Sequence, residues 1–162
     1  MGVKAKSLKV SLPFGLGSIE FEANEVEQRA AWSLYVELAT RVAIQQFDRE
    51  SGLLRSVLTS LYSLFGFTRE VLREAGPEVA HGPNSFGPLA IKVLTEGLAP
   101  FTTRWHQRLL DYEQQRPPHV GALEHEKAWI HYPEMRDELV ELQEQMKVYA
   151  DALAKISGAK SV

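Results

Sequence analysis

The chain contains no cysteine. Disulfides, thiolate nucleophiles and cysteine-ligated zinc are therefore excluded by inventory, and a reducing compartment suits the composition. It also has no run of about eighteen uninterrupted apolar residues, and its N-terminus, MGVKAKSLKVSLPF, carries no continuous apolar segment. Neither a spanning helix nor a signal peptide is expected, and the chain reads as soluble and cytoplasmic. Gly2 follows the initiator, but Lys6 stands where a myristoylation signal has Ser or Thr, so a lipid anchor is not indicated. Clustered positive charge is missing too: 18 Lys and Arg are scattered through a chain of net charge −3. Nucleic acid is not expected as a direct ligand, unless folding gathers Arg29, Arg41, Arg55, Arg69 and Arg73 onto one side.

The motifs of common catalytic frameworks are lacking as well. There is no G-x-S-x-G elbow, no convincing S-x-x-K, and neither phosphate-binding glycine pattern, G-x-x-x-x-G-K-[ST] or G-x-G-x-x-G. No catalytic residue and no cofactor is assigned.

What is present is an ordinary globular composition, 44% apolar and 24% charged over 162 residues, the length of one domain. The expected layout is a β-hairpin over residues 1–23, helices over 24–157 and a flexible tail over 158–162. In the hairpin, Leu8, Val10 and Leu12 alternate with polar residues and face Ile19 and Phe21, with PFGLG supplying the turn. Asn24 and Glu27 have the spacing of a capping box, and no Gly or Pro interrupts the pattern from Glu25 to about Phe47. A second helix runs from about Gly52 to Ala75, stopped by Gly76-Pro77. Three glycines and three prolines in residues 76–88 predict an irregular crossover of about a dozen residues. A third helix follows from about Pro88 to Gln115, kinked or split at Pro100.

A short helix over 122–131 precedes the clearest periodicity in the chain. Met135, Leu139, Leu142, Met146, Tyr149, Leu153 and Ile156 are separated by 4, 3, 4, 3, 4 and 3 residues, a three-heptad seam. The whole reads as mainly α: a bundle of about four long helices preceded by a small N-terminal β-hairpin.

Two groups of candidate functional residues emerge. The stretch EHEKAWIHYPE begins like a zinc-protease helix, but Trp129 stands where the second histidine of H-E-x-x-H belongs. His131 is about 120° around an ideal helix from His125, so those two rings alone make a poor ligand pair. The simpler expectation stacks His125 on Trp129 and leaves the glutamates in water. A bundle metal site would instead use His106 with His81, His125 or His131.

The second group is apolar. Residues 30–47 and 53–68 hold three charges among 34 positions, so these helices need cover on more than one side. Either one of them is central, or Leu53, Tyr62, Phe65 and Phe67 meet another subunit. The seam residues Leu139, Leu142, Met146, Tyr149 and Leu153 likewise form either a self-associating coiled coil or an ordinary core face.

The functional expectation is a non-catalytic helical protein-interaction module, acting as a homo-oligomer or as a small accessory subunit of a larger complex. The alternatives are a metal- or small-ligand-binding bundle using those histidines, and an accessory subunit of a nucleic-acid-processing or antiviral defence system.

Overall fold

A computed structural model describes residues 7–41 and 44–159. It is mainly α, with a bundle-like arrangement of helices and a two-stranded antiparallel hairpin at the N-terminal end. The expected first residues of the hairpin segment, 1–6, and the last of the tail, 160–162, lie outside the described residues.

Strands β1 (Leu8–Ser11) and β2 (Ser18–Phe21) pair in the register Leu8 to Phe21, Lys9 to Glu20 and Val10 to Ile19. That register puts the four apolar residues on one face and sets Lys9 against Glu20 on the other, as period-two alternation requires. Val10 and Phe21 are fully buried, because the apolar face lies on the last helix.

Helix α1 (Glu25–Ala39) starts with the expected capping box: the Glu27 N–H donates to Asn24 Oδ1 at 2.8 Å and the Asn24 N–H to Glu27 Oε1 at 3.2 Å. It does not run to Phe47. The Thr40 hydroxyl turns back to the Val36 and Glu37 carbonyls, and the Arg41 N–H bonds to the Leu38 carbonyl in a tighter closure. Residues 44–47 are not helical, and residues 42 and 43 lie outside the described residues. Phe47 is nevertheless buried and anchors the connection. Beyond it Asp48 accepts from Glu50 and Ser51, which holds its carboxyl below the usual carboxylate range. Gly52 has no room for a side chain there, since a Cβ would fall 2.4 Å from the Asp48 carbonyl oxygen.

Helix α2 (Leu54–Ala75) ends at Gly76, whose φ is +80°, and a single 3₁₀ turn, Pro77–Val79, follows. The crossover is shorter than the expected dozen residues, for helix α3 (Phe86–Lys92) already includes Gly87-Pro88. It continues without a break through a π-turn, Val93–Leu98, into α4 (Ala99–Glu113). This is the disturbance expected of Pro100. A wide turn, with the Ala99 N–H reaching the Leu94 carbonyl, precedes the proline that can neither donate a hydrogen bond nor fit a regular helix interior.

Helix α5 (Ala122–Lys127) is shorter than expected, and α6 (Tyr132–Ser157) carries the seam. All seven seam residues are buried in the chain's own core. In the C-terminal half of α6, Ala150, Ala152 and Ala154 are buried as well, so that half is covered on nearly every side, by α1 and by β1. The helix with all-round cover is thus this half of α6, not either charge-poor segment; its alanines are small enough to let neighbours approach. No helix among the described residues is long and apolar enough to cross a membrane.

Candidate functional site

Among the described residues two carboxylates are buried, and both are consumed by the fold. Glu27 is fully buried. Besides closing the capping box it accepts from the Phe86 N–H at 2.8 Å and contacts His81 Nε2 at 2.7 Å, while Asn24 Nδ2 donates to the Glu78 carbonyl at 2.9 Å. One helix start therefore ties down both ends of the Gly/Pro-rich crossover.

Glu126 does the same for α2. Leu53, the residue before that helix, offers no capping side chain, and the Leu54 and Arg55 N–H groups donate instead to the two Glu126 oxygens. Desolvation raises the pKa of this carboxyl, with its two backbone hydrogen bonds opposing. The expectation that the glutamates of this stretch lie in water fails at Glu126, because a cap can be supplied by a residue far away in sequence.

The neighbouring side chains complete a closed cluster. Arg55 binds Glu113 through Nε at 3.0 Å and through its terminal nitrogen. Tyr112 lies parallel to His125 at 4.0 Å and to Trp129 at 5.3 Å, donates its hydroxyl to the His125 carbonyl, and accepts His125 Nε2 at its own carbonyl. His125 and Trp129 are thus joined through a tyrosine of α4 that sequence spacing does not show.

The four candidate histidines are not brought together. His81 pairs with Glu27, His106 meets Arg55 and the Tyr62 ring, His125 stacks on Tyr112, and His131 lies 3.5 Å from Glu134 and edge-on to Trp129. Among the described residues no three His, Asp or Glu side chains converge as metal ligands.

The apolar candidates divide as well. Leu139, Leu142, Met146, Tyr149 and Leu153 are core, so their surface is spent inside the chain. Leu53 is half-buried, and Phe65 and Phe67 are half-buried against the core. Tyr62 is exposed, resting on Phe65 and His106. The larger exposed apolar side chains elsewhere are Trp32 and Val36, one turn apart on α1, Ile91, Ile130 and Val140.

One feature that the fold itself does not consume is a groove of about 570 Å³ between the hairpin tip, the π-turn, α4 and α6. Its frame is unusual backbone. Phe14, at the tip, has φ +59°, a left-handed conformation that costs a non-glycine residue about 1 kcal/mol or more. It is held there by its N–H, which donates to Gln145 Oε1 of α6 at 2.7 Å, and by its ring, which packs onto Gly97 of the π-turn. A Cβ on Gly97 would lie 2.2 Å from that ring, so glycine is required for the contact.

Phe14 and Pro100, with the edges of Phe101 and Leu142, give the groove an apolar floor. Glu96, Arg104, Glu138, Glu141 and Gln145 surround it. Arg104 bridges Glu134 and Glu138, and Glu138 also accepts the Trp105 Nε1–H at 2.6 Å. The side chains of Glu96 and Glu141 have no hydrogen-bond or ion-pair partner among the described residues. Of this site, sequence spacing pointed only to the disturbance at Pro100. Two further sequence features mark it: an apolar Phe14 at the tip of a glycine turn, and Gly97 inside a helical pattern.

The fold and groove define a class no narrower than a mainly α bundle with an N-terminal hairpin. Comparison of the chain with protein-family models, with curated proteins and with solved structures gives no match.

Proposed function

We propose that the protein is a non-catalytic helical interaction module, a small accessory subunit that binds a partner protein through the groove at the hairpin tip. The observation that supports this is the frame of the groove. A left-handed phenylalanine and a π-turn meet at one glycine, two local departures from regular backbone, and such departures concentrate at functional positions. The groove's volume falls in the range of ordinary binding sites.

The test is a peptide-display selection against the intact protein. Peptides should be enriched that bind wild type and lose binding to Glu141→Trp, an exposed position where an indole fills the groove. If no enriched peptide is sensitive to Glu141→Trp, the proposal fails.

A second reading rests on a different surface. Trp32 is 48% exposed and Val36 42%, adjacent on one stripe of α1, as in a self-associating helix. Light scattering across a dilution series tests it: a dimer that dissociates on Trp32→Ser supports a homo-oligomer, and a monomer at every concentration removes it.

A further inference from the structure

We infer that the occupant of the groove is a basic segment of a partner protein, an apolar side chain flanked by lysine or arginine; this rests on the interaction-module reading and names the chemistry of the partner. Three carboxylates and one guanidinium line the groove. The guanidinium is spent: Arg104 is bridged by Glu134 and Glu138, and the second oxygen of Glu138 is taken by Trp105. What is left to meet a ligand is the pair Glu96 and Glu141, one on the π-turn and one on α6.

Free carboxylates on both flanks of an apolar floor select a cation beside an apolar anchor. Ammonium and guanidinium groups form charge-assisted hydrogen bonds with them, and the same rim repels phosphates and acidic peptides. The groove is open to solvent instead of being an enclosed cavity, which suits a length of chain better than a small cation. Phe14 and Pro100 provide the apolar surface that the anchor would cover.

The partner chemistry is tested with a fluorescein-labelled short peptide alternating arginine and leucine, an acidic counterpart alternating glutamate and leucine, and spermidine as a competitor. The protein is the full chain, as wild type and as Glu96→Gln/Glu141→Gln, exposed changes whose effect on folding is checked by circular dichroism. The expected result is binding of the basic peptide alone, weakened by added salt and reduced about tenfold in the double variant.

Equal affinity of the basic peptide for wild type and double variant overturns the inference, since any attraction would then be general. Displacement by spermidine at concentrations matching the peptide's own affinity also overturns it, in favour of a small cation. Selected peptides that lack basic residues yet are blocked by Glu141→Trp overturn the partner chemistry and leave the module reading standing. Absence of any groove-dependent peptide removes both.

Discussion

Buried and rim carboxylates behave in opposite ways in this protein. Glu27 and Glu126 are buried, Glu27 accepts one and Glu126 two backbone N–H groups from a segment more than fifty residues away, and each closes the start of a helix. Glu96 and Glu141 stand at the hairpin-tip groove with no partner among the described residues. The first pair does architectural work and leaves nothing over for a ligand. The side chains of the second pair have no such tie to the fold. The contrast separates the closed polar clusters from the open one at the groove.

Removing a buried acceptor breaks the comparison most severely. Glu27→Ala orphans the N–H groups of Asn24 and Phe86 and frees His81, so a loss of about 3 kcal/mol is expected in denaturant unfolding. Glu126→Ala leaves two N–H groups at the start of α2 uncapped, with an expected loss of about 2 kcal/mol by the same measurement.

The groove's frame comes next. Gly97→Ala forces the Phe14 ring aside and should cost about 1 kcal/mol, while hydrogen exchange at the Phe14 amide speeds up as its bond to Gln145 opens.

A smaller effect sharpens the contrast through pH. Because burial raises the Glu126 pKa, the folded state holds that proton more tightly than the unfolded chain does. Its contribution is fully present below the unfolded value of 4.5 and is lost as pH rises through the folded one. The stability of wild type relative to Glu126→Gln should therefore fall as pH rises above 4.5, followed as the difference between their unfolding midpoints. The smallest effect is at the rim, where Glu96→Gln should change stability by about 0.5 kcal/mol or less; a larger loss would mean that the rim is structural after all.

Legibility follows the range of the interactions. The capping box at Asn24 and Glu27 spans three positions, and its backbone half is visible in the residue types alone. The same Glu27 also gathers Phe86 and His81, which no spacing rule can show. Glu126 is the sharper case: its neighbours in sequence suggest a solvated helix face, and its role comes from Leu54 and Arg55, seventy positions earlier. The end of α1 falls short of the sequence pattern, because the periodicity continues past Ala39 although the helix does not. Thr40 and Arg41 find better partners in the carbonyls behind them and in Glu37, Ser60 and Ser63.

By itself the sequence determined the mainly α class, the hairpin, the capped start of α1, the stop at Gly76 and the heptad spacing of the α6 seam. Each follows from local periodicity or from the conformational limits of Gly, Pro and Asn, which act over a few residues. Only the tertiary structure decided which half of which helix is central, which carboxylates are caps and which are free, and that Phe14 meets Gly97 at a groove. Those outcomes depend on contacts between segments far apart along the chain, whose pairing is set by how all the apolar faces bury one another at once.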